Sequence, residues 1–97
     1  DTFEQAPLIL CPSNAGQAPL LGQDGEIDGE AEVGWVRFTY GINMTRNPAG
    51  NVCTGLSAAG LPIGMQLIGR HYAEAEVLAA MAAAEQAIAF DQRPAVC

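Results

Sequence analysis

Basic residues are scarce in this sequence. Only 4 of its 97 residues are lysine or arginine, against 11 aspartates and glutamates, and the formal net charge is -7. A chain with this balance repels phosphate backbones and anionic lipid, because like charges oppose association. We therefore expect neither nucleic acid nor a membrane surface as a partner.

Long apolar runs are also missing. The longest run, residues 77–84, is far shorter than the roughly twenty residues that a helix needs to cross a bilayer. The opening residues "DTFEQAPLIL" contain no basic stretch followed by a long apolar core. The sequence as given therefore predicts no transmembrane helix and no secretory leader.

The three cysteines form no recognisable motif. Cys11, Cys53 and Cys97 are widely spaced, their number is odd and no CxxC pair is present. This spacing encodes neither a zinc site nor a closed disulfide framework, and it fits a reducing cytoplasm. A single disulfide stays open without support from the sequence. Cys11 and Cys53 lie in apolar, strand-like runs, so both are predicted to be buried and unreactive.

The composition that is present indicates a folded α/β unit. Apolar residues make up 49% of the chain and charged residues 15%, which is too apolar for a disordered tail. A chain of this length buries one modest core, and its surface charge is sparse for a free-standing domain. We therefore expect a piece of a larger fold.

Hydrophobic periodicity and turn residues predict about three strands, a short helix and one long helix. The predicted elements, in order, are a strand at residues 7–11, an acidic surface loop at 18–34, a short helix at 35–44, strands at 49–54 and 63–68 joined as a hairpin, and a long helix after Arg70. The segment 35–44 carries no decisive periodicity, and a strand is the alternative there.

The long helix has the clearest pattern. Val77, Met81, Ala84 and Ile88 recur at helical spacing, and Leu78 is expected to widen this apolar stripe. The acidic residues at 74 and 76 suit the first turn of a helix, and residues 91–94 are expected to end it.

The stretch "GLPIGMQLIGRHY" predicts a strand with one unusual residue. Pro62 suits the first position, where its missing N–H harms the ladder least, and Gly64 permits close packing. Gln66 interrupts the apolar alternation, and a buried amide needs hydrogen-bond partners. Those partners are expected to be backbone groups of a neighbouring strand or loop; the functional alternative is that Gln66 orders a loop beside a pocket.

Two segments could carry chemistry on their own. "DGEIDGEAEVGW", residues 24–35, places acids at positions one, three and five of a calcium loop, but Trp35 stands where a bidentate glutamate must close the shell. An acidic, solvated loop is therefore favoured over a metal site. His71, the single histidine, has no nucleophile at a recognisable spacing, so a structural hydrogen bond is favoured over a catalytic base.

A longer series of residues carries a family resemblance. "GINMTRNPAGNVCTGLSAAGLPIGMQLIGRHYAEAEVLAAMAAAEQ", residues 41–86, resembles the C-terminal end of the amidase signature family, with its pattern "FNLTGxPAxSVPxGxxxxGLPVGxQLxGRxxxExxxLxxAxxxE". The segment "FEQAPLILCPS" is similar to the "yDvLLtPT" strand of that family. Residues 18–34 would then be a variable insert.

The resemblance implies a larger α/β fold with a central mixed sheet flanked by helices, of which residues 1–97 are the C-terminal portion. It implies hydrolysis of a carboxylic amide C–N bond in a small-molecule substrate, without metal or cofactor. The family's nucleophilic serine, its second serine in a cis peptide and its lysine lie N-terminal to this pattern. We therefore expect no catalytic residue in this chain, no activity of the chain alone, and the remaining N-terminal part as its partner, in the same or a separate chain.

The same resemblance implies where substrate approaches. The family segment that matches residues 35–43 borders the acyl side of the substrate pocket, so Arg37, Thr39 and Asn43 are the implied pocket-lining residues. Two departures affect the local backbone: Arg46 stands where the family usually has glycine, and Cys53 stands where it has the proline of "SVP".

A second interpretation stays open. The residues alone also fit a free-standing α/β binding or interaction module without catalytic activity, and either interpretation is compatible with a homo-oligomer. A module would melt cooperatively on its own, whereas a fragment of a larger fold would bind hydrophobic dye and aggregate.

Overall fold

The computed structural model describes residues 2–91 and has the expected α/β architecture. Its elements are α1 (Thr2–Gln5), β1 (Leu8–Pro12), β2 (Glu26–Ile27), β3 (Glu30–Ala31), a 3-10 helix (Val33–Val36), α2 (Arg37–Thr45), β4 (Ala49–Leu56), β5 (Pro62–Gly69) and α3 (Glu74–Ile88). The three predicted strands and both predicted helices are confirmed, including the short helix predicted for residues 35–44, where a strand was the alternative.

The main sheet has three antiparallel strands in the order β1-β5-β4. β5 lies in the centre and begins at Pro62, so the missing N–H of the proline falls at the end of the ladder. The last four residues of β5, residues 66–69, are buried. The stretch that begins at residue 60 is therefore the central strand of this part of the fold.

The two faces of the sheet carry different helices. Residues of β5 with even numbers point toward α2, because the Gln66 side chain bonds to the backbone of that helix. Residues with odd numbers point toward α3, where the backbone of Gly69 lies against Val77. We call these the α2 face and the α3 face.

α3 packs its predicted stripe onto the sheet. Val77 is buried, and Met81 lies against the backbone of Gly50. Val52, Leu67 and Ile68 are the other buried apolar residues of the described part of the chain. The prediction that Leu78 widens the stripe is wrong, since 63% of this residue is exposed. The helix lies over β4 and β5 with Val77 and Met81 inward, which turns Leu78 to the side.

α3 ends at Ile88, and Ala89 follows in the left-handed conformation with a φ of 54°. The predicted stop at residues 91–94 lies outside the described residues except for Asp91, as does Cys97. α3 has 15 residues, and within residues 2–91 we find no helix long and apolar enough to span a bilayer.

The acidic segment is more ordered than the predicted loop. β2 and β3 form a two-residue hairpin in which Asp28 and Gly29 both have positive φ, 53° and 83°, as a type I′ turn requires. The backbone of Gly25 packs against the Trp35 ring. An Asp-Gly pair between short alternating segments is a strong hairpin signal. A loop was predicted here because the prediction relied on the acidic composition and not on this pair. The calcium-like spacing of acids belongs to this hairpin.

The two cysteines of the described residues differ in exposure. Cys11 is half-buried and Cys53 is exposed, and both are free thiols. The prediction that Cys53 is buried is wrong, because it lies on edge strand β4 opposite Gly64, away from the buried end of β5.

Candidate functional site

The candidate site is helix α2 with the sheet face beneath it. A 3-10 turn, Val33–Val36, leads directly into α2, and Ile42 lines one groove with Ile9 and Ile68 of the sheet. Two of the apolar side chains of this helix, Tyr40 and Met44, are exposed, and none of its residues is fully buried. Polar contacts with the sheet therefore have to supply part of its positioning.

Gln66 makes the first of these contacts. Its Nε2 donates to the Phe38 carbonyl at 3.0 Å and to the Cys11 sulfur at 3.3 Å, and the residue is 4% exposed. The expected polar partner is present, but it is the backbone of a helix and not of a strand or loop. Because the Phe38 carbonyl belongs to the peptide that joins Phe38 to Thr39, Gln66 fixes the first turn of α2.

The second contact holds the other end of α2. His71 lies in the turn after β5, and its Nε2 donates to the Thr45 carbonyl at 2.8 Å. Nε2 carries the proton in this contact, because a carbonyl only accepts. Asn47 donates to the Gly69 carbonyl at 2.9 Å. The predicted structural hydrogen bond of His71 is therefore present, and β5 with its following turn fixes both ends of α2.

A polar bridge crosses β5 on the same face. Ser13, after β1, donates its hydroxyl to the Asn51 side-chain oxygen on β4. The Ser13 side chain lies over Gly64, where an added Cβ would collide with the Ser13 hydroxyl. Sequence reasoning missed this pair; the signal was Asn51, the one residue of β4 with an amide side chain.

The three implied pocket residues do not share one surface. Thr39 and Asn43 are four residues apart on α2 and therefore lie on one side of the helix. Thr39 donates to the Val36 carbonyl at 2.9 Å, and Asn43 is exposed. Arg37 lies on a different side and turns back toward the acidic segment. The structure brings Thr39 and Asn43 together and separates Arg37 from them.

Arg37 is bound to the segment that precedes α2. Its Nη2 lies 2.7 Å from a Glu32 carboxylate oxygen, and its Nε donates to the Gly34 carbonyl at 3.0 Å. Both charged side chains are about half exposed, at 48% and 49%, so the ion pair contributes little to stability. Its effect is to connect the acidic segment with the start of the helix.

Both serines of the described residues are hydrogen-bonded to polar side chains other than histidine or lysine. Ser57 donates to the Gln17 side-chain oxygen, and Ser13 donates to the Asn51 side-chain oxygen. The sequence contains no lysine. Within residues 2–91 no three histidine, cysteine, aspartate or glutamate side chains are grouped to hold a metal ion.

The two departures from the family pattern have structural meaning. Arg46 ends α2 with a φ of 59°, a left-handed conformation that glycine adopts at least cost. Cys53 is the last residue before a register shift between Cys53 and Gly55. A glycine at the first position would fit this backbone without strain.

Comparison with known proteins shows what this chain is similar to. The family model described as Amidase matches residues 1–78. Fatty acid amide hydrolase of Arabidopsis thaliana is 34% identical over 98 residues, which cover 97% of this chain and 16% of that protein. The A subunit of the glutamyl-tRNA(Gln) amidotransferase of Roseobacter denitrificans is 41% identical over 86 residues, covering 89% of this chain and 17% of that protein.

The A subunit of the same amidotransferase from Granulibacter bethesdensis is 51% identical over 59 residues, which cover 61% of this chain and 12% of that protein. The chain thus spans between 12% and 17% of the length of these relatives. The family match includes the whole sheet, α2 and the start of α3. The chain belongs to the amidase family.

Proposed function

We propose that residues 1–97 are the C-terminal portion of an amidase that hydrolyses the C–N bond of a carboxylic amide. The observation that carries this proposal is the family match over residues 1–78, together with an alignment that covers 97% of the chain. One relative is named as an amide hydrolase and others as part of an amidotransferase. The acidic segment at 18–34 is the variable insert of this portion.

The chain's own contribution is a rigid wall of the substrate pocket. Gln66 and His71 hold the two ends of α2, and the side of the helix between them presents Thr39 and Asn43. A hydroxyl and an amide suit hydrogen bonds to the polar end of an amide substrate. Arg37 is bound to Glu32, so it acts on substrate only if that ion pair opens.

The reaction itself belongs to the remaining N-terminal part. There a serine, activated through the second serine and the lysine of the family, attacks the amide carbonyl; the amine leaves and water hydrolyses the acyl-enzyme. This chain, without lysine and with both serines otherwise engaged, is inactive alone. The substrate is a small amide, and the unpaired cysteines favour the cytoplasm.

The test is the intact mass of the native assembly, followed by an assay with simple amides. We expect these 97 residues to occur with a larger glycine- and serine-rich portion, in one chain or two, and the assembly to release amine. In the same assay the isolated chain should give no signal above buffer. If the native form is a single folded chain of 10.1 kDa without activity, the proposal is rejected and the binding-module interpretation is favoured.

A further inference from the structure

Trp35 lies where the acidic segment meets α2. It is the single tryptophan of the sequence and belongs to the 3-10 turn, Val33–Val36, that leads into the helix. Its half-buried ring lies on the backbone of Gly25, a buried residue of the acidic segment, where an added Cβ would collide with the ring carbons. Glycine at this position is therefore what lets the segment approach the ring so closely.

Backbone hydrogen bonds fix both partners of this contact. The Ala15 N–H, from the chain that follows β1, donates to the Trp35 carbonyl at 2.8 Å. The Glu32 N–H donates to the Gly25 carbonyl at 2.8 Å, which closes the acidic segment beside the ring. The place of Trp35 therefore depends on the folded acidic segment and on the chain after β1.

The contact reaches the candidate pocket through one carbonyl group. Val36 follows Trp35, and its carbonyl accepts the hydrogen bond from the Thr39 hydroxyl at 2.9 Å. A hydroxyl has one proton, so this bond fixes its direction and leaves the oxygen lone pairs for a ligand. A shift of Trp35 would move the Val36 carbonyl and turn the Thr39 hydroxyl with it.

The other link from the acidic segment to α2 is too weak to do the same. The Glu32–Arg37 ion pair is about half exposed, and an exposed pair of this kind contributes little. Gln66 holds the first turn of α2 from the sheet side, at the Phe38 carbonyl. Trp35 holds the entry to that turn from the side of the acidic segment.

We infer that Trp35 is a positioning residue for the substrate wall: through its contact with Gly25, the acidic segment sets the place of the Thr39 hydroxyl and so takes part in substrate selection. The inference rests on the proposed function, in which Thr39 borders the substrate. Changes within residues 18–34 would then alter the wall without touching substrate. Trp35 itself acts through Val36 and takes no part in the chemical step.

The test is steady-state kinetics of the full-length protein that carries these residues, with a series of simple primary amides. Trp35→Ala removes the ring, and Gly25→Ala displaces it while Trp35 is retained. Both should raise KM about 10-fold, as expected for one weakened hydrogen bond to substrate, and change kcat less than about 2-fold. Trp35→Phe keeps a ring over Gly25 and should restore KM to within about 3-fold of the wild-type value.

A double-mutant cycle shows whether the effect passes through Thr39. In a Thr39→Val background, Trp35→Ala should no longer change KM, because the hydroxyl that it displaces is absent. Gly55→Ala is the matched control, since nothing lies within 4 Å of the new methyl and KM should stay unchanged. An unchanged KM in both Trp35→Ala and Gly25→Ala would reject the inference. So would an equal rise of KM in the Thr39→Val background, or a loss of kcat alone, because Trp35 would then stabilise the fold in general.

The proposed function can fail separately. A full-length protein that hydrolyses none of the amides would reject the proposed function and, with it, the role in substrate selection. Hydrogen–deuterium exchange on the same variants still tests the positioning. Trp35→Ala should accelerate exchange in α2 and leave α3 unchanged, and unchanged exchange in α2 would reject Trp35 as a positioning residue.

Discussion

α2 and α3 pack on opposite faces of one sheet and are held there by different forces. α3 is held by apolar contact: Val77 and Met81 fill the space left by Gly69 and Gly50. α2 is held at its two ends by hydrogen bonds from β5 and its following turn, with little apolar burial between them. The packing of α3 tolerates no added volume, whereas the position of α2 depends on single polar groups.

The largest expected effect is on the α3 side. Gly69→Ala would place a methyl group 2.6 Å from a methyl of Val77, whose branched side chain has few alternative rotamers. Overpacking of this kind costs about 2 kcal/mol of unfolding free energy. The measurement is a urea titration of the protein.

A double-mutant cycle identifies the cause. Val77→Ala removes the obstructing methyl, so Gly69→Ala combined with Val77→Ala should cost less than the sum of the two single variants. Gly55→Ala is the matched control, because nothing lies within 4 Å of the new methyl there. Additive effects in the cycle would show that the clash with Val77 is not the reason for the loss.

The same contrast decides which elements could be predicted from sequence. α3 follows from its periodicity, because Val77 and its neighbours at helical spacing need an apolar surface and find it on β4 and β5. A short helix at residues 35–44 was predicted without a decisive periodicity, but its position could not be, because what fixes α2 is contributed by Gln66 and His71, more than twenty residues away in the chain. The spacing of apolar residues indicates which face of a helix is buried. It is weak in α2 because that helix is only half-buried.

The site shows the same division. The need of Gln66 for a polar partner could be predicted from an amide within an apolar strand, but the identity of the partner required the fold. Arg37, Thr39 and Asn43 follow from the family pattern; the ion pair that turns Arg37 toward Glu32 depends on how the acidic segment folds. The hairpin in that segment could be predicted from its Asp-Gly pair at residues 28 and 29.

A smaller effect is expected on the α2 side. Gln66→Met keeps the volume and removes the donor to the Phe38 carbonyl, which belongs to α2 and retains a place in its backbone ladder. The loss should be about 1 kcal/mol, the usual net contribution of one hydrogen bond. The sharper measurement is amide exchange, which should accelerate in α2 and stay unchanged in α3.

The matched control is the same substitution at an exposed position. Gln86→Met lies on the outer side of α3 and should change neither stability nor exchange in α2. If Gln66→Met accelerates exchange equally in both helices, Gln66 stabilises the sheet as a whole and does not position α2 in particular.

The smallest effect is a gain, at the C-terminal end of α2. Arg46 has a φ of 59°, where a Cβ is strained, and α3 ends in the same way at Ala89. Arg46→Gly should raise the unfolding free energy by about 0.5 to 1 kcal/mol, read as a higher melting temperature. Arg46→Ala separates backbone strain from charge, because it removes the guanidinium and keeps the Cβ. An equal gain from both variants would mean that the charge of Arg46, and not its backbone conformation, destabilises this end of the helix.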